Sequence, residues 1–441
     1  MKKNIFLILL LLFISINSLE EYSGSHTLVL NDASSTIDGT TLTSTANNGV
    51  SYSSGVVSIT SAGTYILSGS LSGQVSISVG STDTVALVLN GVSITSSSTN
   101  GIIFLKAYEL DSSSSFSYSK AKSLTVDNSG AKIIIADGTE NTIQGTKSSD
   151  GDGAIHSVIS LLITGETNND GVLNVIGTKE GIEVEKHLFI NGGILNIAAQ
   201  DDGINLKNSY ICIVSGGKVL INSGLGSEGD GIDSNGYILI NGGEVISASN
   251  PTADTGLDAD SATIIDGGNV FSVGCSMDMA STDSSQPTMN LIFSSNVAAS
   301  STVTVKDSDG NEIISFCAND ADFQSGTSRR SYSAAVVSHS SFKANSIYHL
   351  YLDGTQLGYT GNDSGSSSGP GGKGGNSGSS SSSSTITTDF TLGSSATYFS
   401  GVQKANVISW VLIKYIFNYL LSVVNFKKKS IKFFHLLFIL K

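Results

Sequence analysis

Cysteine is scarce in this chain: Cys212, Cys275 and Cys317 are the three among 441 residues. They are too few and too scattered to form a disulfide framework at this length, although one pair could bridge in an exported protein. Cys212, inside Tyr210-Ile211-Cys212-Ile213-Val214, reads as a small buried strand residue. Proline is equally rare, at three, and long amphipathic patterns are few, so helices should be scarce. Arginine is absent from Asp150 to Gly274, which removes the usual base of a pectate-type lyase from that region. No group of His and Cys stands at zinc-binding spacing; His156, His187, His339 and His349 are scattered.

Positive charge is also thin. Lys2 and Lys3 precede an apolar run from Ile5 to Ile16 and the small residue Ser18, the three-part layout of a secretory signal peptide spanning 1–18. Seven further lysines lie beyond Gly401. The body from Leu19 to Gly401 therefore holds 14 basic against 37 acidic residues, a net charge near -23. Nucleic acid and anionic membrane are poor partners for it. Such a body either stays soluble through self-repulsion or holds cations.

What the chain has in abundance is Gly, Ser, Thr, Val and Ile. Short alternating runs such as Gln74-Val-Ser-Ile-Ser78 and Val85-Ala-Leu-Val-Leu89 recur between Gly, Asn and Ser clusters, so the fold class is all-β. From Asp150 to Gly274 one mark recurs as Asp152-Gly153-Ala154, Glu180-Gly181-Ile182, Asp202-Gly203-Ile204, Asp230-Gly231-Ile232 and Thr255-Gly256-Leu257, with glycine spacings of 28, 22, 28 and 25. A second mark, a polar residue and two glycines, follows at 11, 13, 11 and 11 residues: Asn191-Gly-Gly193, Ser215-Gly-Gly217, Asn241-Gly-Gly243 and Asp266-Gly-Gly268. Repeats of this length, made of short strands and glycine corners, predict a solenoid whose units bury their apolar faces by stacking.

The flanks divide as follows. Residues 19–286 are expected to form one solenoid body, strand-rich but less regular from Leu28 to about Ser149, with a loop insertion at Tyr108 to Lys122. A small separate β-module is expected at 287–360, then a Gly/Ser-rich linker at 361–384 and a short β segment at 385–401. The tail at 402–441 has an apolar stretch from Val407 to Asn425 followed by Lys427-Lys428-Lys429, which fits either a transmembrane segment or translated non-coding sequence. Membrane is a partner only if that segment is real.

The run Glu180-Gly-Ile-Glu-Val-Glu-Lys-His-Leu-Phe-Ile-Asn-Gly-Gly193, with Gln200-Asp-Asp-Gly-Ile-Asn205 and Gly229-Asp-Gly-Ile-Asp233, resembles the carbohydrate-binding β-helix family of cellulolytic clostridia. Ile59-Thr-Ser-Ala-Gly-Thr-Tyr-Ile-Leu-Ser-Gly69, Leu87-Val-Leu-Asn-Gly-Val-Ser-Ile94 and the module after Pro287 extend the likeness over most of Leu28 to Thr360. The resemblance implies a right-handed parallel β-helix with a small C-terminal β-module, similar in fold to pectate lyases. It also implies association with calcium and with cellulose or acidic sugars.

Stacking in register places equivalent residues about 4.8 Å apart. Aligned on the glycines, one row reads Asp152, Glu180, Asp202, Asp230 and another Glu183, Asn205, Asp233, Asp258. Carboxylates piled at that distance repel, and Ca2+, with oxygen ligands at about 2.3–2.6 Å, spans the same step. These eight residues are the expected calcium ligands. Asp201, Lys207, Tyr210 and Tyr237 are the expected contacts to polysaccharide, with Phe189 a further aromatic candidate. The function expected is secreted, calcium-assisted binding of plant cell-wall polysaccharide, cellulose or an acidic polymer such as pectate. A polysaccharide lyase is the alternative, with Lys179, Lys186 or Lys207 as the base, and a structural surface adhesin is another. Gln200-Asp201-Asp202 hints at glycoside hydrolysis, but the Gly-His-Gly and Arg-Ile-Lys companions of β-helical hydrolases are missing.

Overall fold

A computed structural model describes residues 22, 24–111, 118–121, 123, 129–324, 331–363 and 385–405. The leader at 1–18 and nearly all of the linker and tail lie outside the described residues. The chain divides into Met1–Gln403 and Lys404–Lys441; the first unit is described here.

Each repeat gives one strand to each of three ladders, because the apolar positions alternate and the corners are glycine. The acid-bearing ladder has nine strands, running from Val50–Ser53 through Gly153–Ser157, Glu180–Val184, Ile204–Leu206 and Ile232–Ser234 to Leu257–Ala259. Apart from its first pair it is parallel. A second ladder stacks Ala131–Ile135, Leu161–Gly165, Leu188–Ile190 and Ile211–Val214, and a third stacks Glu140–Gly145, Val172–Gly177, Ile194–Ala199 and Lys218–Asn222. Val85–Thr95 and Tyr237–Ala248 each pass round the corner and pair with both ladders. Ten strands thereby close into a ring. The molecule is all-β, and among the described residues its helices are single turns, Tyr118–Ala121 and Ala318–Ala321.

The corner is where glycine is required. Gly193, Gly217 and Gly243 have φ of +76° and Gly268 +82°, a region that side chains with a Cβ adopt at a cost. A Cβ on Gly217 would also lie 2.6 Å from the carbonyl oxygen of Gly193 below it. Inward residues such as Ile182, Ile204, Leu195, Val219, Leu188 and Ile238 are fully buried in one continuous core, each contributing about 1.5–3 kcal/mol by leaving water.

Two outward faces are covered as well. Leu162, Phe189, Ile213, Leu239 and Ile264 share one register row on the outside of the second ladder, and Leu110 and Tyr118 of the insertion pack against it. Glu109 accepts hydrogen bonds from Ser160 N and Oγ at 2.8 and 2.7 Å, and Tyr118 donates to Asp266 Oδ2 at 2.7 Å. The outer face of the third ladder, at Leu220, Ile246 and Phe271, is buried beneath the C-terminal module. That module is hydrogen-bonded to the stack, since Tyr332–Ser338 pairs antiparallel with Ala262–Gly274. Among the described residues no helix is long and apolar enough to cross a membrane.

Candidate functional site: the acidic rows

Strand alternation decides where the acids go. In the acid-bearing ladder Ile182, Ile204, Ile232 and Leu257 point into the core, so the next residue of each strand points out. Glu183, Asn205, Asp233 and Asp258 are mutual register partners along that outward row. The row continues backward through His156, Ile103, Ser76 and Ser58. It grades from neutral at one end of the stack to acidic at the other.

Asp152 does not join Glu180. Glu180 pairs with Gly153, as Ile182 does with Ile155, so the same offset sets Asp152 opposite Lys179. Ala154 is one residue more than the other repeats carry between glycine and the inward isoleucine, and alignment on the glycine misplaces Asp152 by one. The offsets of the following strands carry Lys179 on to Asp201, and Glu180 on to Asp202, Asp230 and Thr255. In that second row the aspartates staple the repeats: Asp202 Oδ1 accepts from Asp230 N at 2.8 Å and Asp230 Oδ1 from Thr255 N at 2.5 Å.

Lysines neutralise one end. Asp152 Oδ2 meets Lys179 Nζ at 2.7 Å and Lys147 Nζ at 2.9 Å. Glu183, fully buried, pairs with Lys207, with His156 Nδ1 at 2.7 Å and with Asp152 N at 2.6 Å. Although burial opposes its charge, these three bonds hold Glu183 down at about 2. Lys207, expected as a sugar contact, is ion-paired: burial works against its charge, but Glu183 outweighs this and raises its pKa. Lys179 is raised in the same way by Asp152 and Glu180 against burial. Both lysines hold their protons more firmly than in water, opposite to what a general base needs.

At the other end no lysine or arginine pairs with Asp202, Asp230 or Asp233 among the described residues. Burial first, then the field of Glu183, lifts Glu180 to about 8. Burial lifts Asp230 to about 8 despite its bond from Thr255, with Asp258 and Asp202 adding to the rise. Burial and then Asp202 and Asp258 bring Asp233 to about 7, and burial brings Asp202 to about 6. Asp278, absent from the repeat marks, closes the ladder: it accepts from Ala259 N at 2.8 Å, and burial raises it to about 7. Asp254 likewise accepts from Gly229 N at 2.8 Å. Spacing held a hint of Asp278, which follows Asp258 by 20 residues, close to the shortest repeat.

The aromatic candidates are covered to different extents. Tyr210 is 4% exposed, edge-on to His187 at 4.8 Å and under Lys186 Nζ at 4.6 Å. Phe189 is fully buried, and Tyr237 is half-buried against the strip that the insertion covers. Asp201 remains partly exposed, 3.4 Å from Lys179 Nζ.

The donor set suits a hard cation. The rows offer carboxylate and amide oxygens, and Glu180, 3% exposed, has an Oε2 with no hydrogen-bond partner. The acids run along the stack instead of converging on a point: among the described residues no three His, Cys, Asp or Glu side chains form a ready metal cluster. Ligands would have to come from neighbouring rows together.

A family model described as carbohydrate-binding domain-containing protein matches residues 53–114 and 110–333, more than half of the chain. The chain belongs to this family. The resemblance drawn from the repeat motifs is borne out at that level, and the carbohydrate-binding domain match takes in every acid of the two rows. Among solved structures, the chain is similar to the polysaccharide lyase-like protein from C. thermocellum, in a gadolinium derivative, at 23% identity. That likeness covers 55% of this chain and 92% of that one with a TM-score of 0.38. No curated protein matches the chain.

Proposed function

We propose that this is a secreted, non-catalytic protein that binds plant cell-wall polysaccharide, cellulose or an acidic polymer such as pectate, with the help of Ca2+, on a right-handed parallel β-helix. The right-handed sense is the one that parallel strand connections almost always take. The observation that carries the reading is the pair of in-register rows, Glu180–Asp202–Asp230 and Asn205–Asp233–Asp258, in which Glu180 and Asp202 are buried, Asp230 and Asp233 are half-buried, and no lysine or arginine pairs with Asp202, Asp230 or Asp233 among the described residues.

Glu180, Asp202, Asp230, Asn205, Asp233 and Asp258 would hold the ions, with Asp278 at the end of the stack. Bound calcium supplies positive charge that cancels the repulsion and reaches sugar hydroxyls or carboxylates. The chain's own residues fix the spacing, because the aspartates of one row are tied to the backbone of the next repeat. Membership of a carbohydrate-binding domain family supports the polymer partner, and the ion-paired state of Lys179 and Lys207 supports binding without cleavage. The test is a pull-down of the purified protein on insoluble cellulose, pectate and xylan, with calcium and with chelator. Retention on none of them, in either condition, removes the proposal.

A further inference from the structure

Lys179 occupies an unusual place in the rows. Its ammonium lies 2.7 Å from Asp152 Oδ2, 3.3 Å from Glu180 Oε1 and 3.4 Å from Asp201 Oδ2. These three carboxylates belong to three successive repeats, and Lys179 itself sits between Asp152 and Asp201 in one register row. Glu180 is 3% exposed and its other oxygen has no hydrogen-bond partner. A cation surrounded by oxygens from stacked repeats is the arrangement proposed for calcium further along, with a side-chain ammonium at its centre.

We propose that Lys179 is a built-in counter-ion which fills one divalent-cation position of the acidic rows, so that replacing it with a neutral residue opens a further calcium site. The inference rests on the calcium reading of the neighbouring acids and deepens it. An ammonium carries one charge and cannot be chelated away, whereas calcium carries two and draws oxygens in to about 2.3–2.6 Å. Without Lys179, Lys147 still balances part of Asp152, at 2.9 Å, while Glu180 and Asp201 lose their nearest cation. Their oxygens and water can then serve a metal. Lys179 thus divides the stack into a stretch whose charge balance is covalently supplied and a stretch that depends on ions from outside.

The experiment counts calcium per chain by equilibrium dialysis and metal analysis on the full protein and on Lys179→Gln, Lys179→Met and Lys179→Arg, with circular dichroism to follow folding. Both neutral variants should bind one ion more than the parent, and Lys179→Arg the same number as the parent. A neutral variant that is unfolded in chelator and refolds with calcium also supports the inference. Equal counts in parent and folded neutral variants overturn it, as does failure of both neutral variants to fold at millimolar calcium. If the parent binds no calcium and the neutral variants bind one ion, the reading of the neighbouring rows fails while this inference stands. If none binds, both fall.

Discussion

Asp202 Oδ1 accepts the backbone N–H of Asp230, 2.8 Å away and one repeat further along the same row. The bond fixes the carboxylate beside its neighbour, so the side chain cannot swing out to relieve the repulsion. Charge in this row is therefore built into the register, and its cost has to be met by protons or by cations.

The first prediction concerns pH. Glu180, Asp202, Asp230, Asp233 and Asp278 have ordinary values of 4.5 or 3.8 and are lifted to between about 6 and about 8 in the fold. The folded state keeps protons that the unfolded chain has released, so stability is highest below about pH 4 with respect to these groups and declines as pH rises through their folded values. In chelator the thermal midpoint should fall between pH 5 and pH 8 by roughly 5 °C or more. Saturating calcium should abolish that fall, since an ion bound only by the native state adds stability. A midpoint indifferent to calcium at pH 8 would remove the metal from the account.

Asp230→Asn and Asp230→Ala should part company. Asparagine keeps an acceptor for Thr255 N and removes a half-buried charge, so in chelator it should raise the midpoint while reducing calcium retention and polymer binding. Alanine strands that N–H and should cost about 1–3 kcal/mol. Asp307→Ala, in the turn where Asp307 accepts from Asn311 N at 2.8 Å, should alter neither calcium retention nor polymer binding. Equilibrium unfolding and metal retention measured side by side decide it; identical behaviour of all three variants would mean the row has no collective role.

Much of this was legible before any coordinates. The double glycines marked the corners, and Ile182, Ile204, Ile232 and Leu257 marked the inward positions, because both follow from local backbone demands and strand alternation. Asp152 was misplaced because one extra residue, Ala154, shifts register without disturbing the glycine pattern. The pairing of Lys179 with Asp152 and Asp201, and of Lys207 with Glu183, joins residues one repeat apart; it depends on which repeats touch, and composition carries no trace of it. Tyr210 looked like a sugar platform because sequence does not reveal that His187 and Lys186 close over it.

No unsaturated product should appear from polygalacturonate at alkaline pH with calcium, followed by absorbance of the new double bond. Lys207, held protonated by Glu183, is the wrong form to take a proton. Lys207→Ala should leave that result unchanged and destabilise the protein by about 3 kcal/mol, because buried Glu183 loses its ammonium partner. Product from the parent that disappears in the variant would make the protein an enzyme.

Removing the insertion's apolar contacts with Leu110→Ala and Tyr118→Ala together should uncover the strip formed by Leu162, Phe189, Ile213, Leu239 and Ile264. Binding of a hydrophobic dye should rise, and stability should drop by about 2 kcal/mol or more. Calcium retention should not change, since the strip and the acidic rows lie on different ladders. Unaltered dye binding would mean that something other than these two side chains covers the strip.

Repeats that touch only their neighbours can fray from an end, one unit at a time. The insertion breaks that rule here, since it is tied to Ser160 at one point and to Asp266, more than a hundred residues later in the chain, at another. It works like a batten nailed across several planks. Loosening the repeat that carries Ser160 or the one that carries Asp266 also strains the insertion's contacts, which couples units that would otherwise fray separately. Under a pull along the axis of the stack, a protein so braced resists unravelling from its end one repeat at a time.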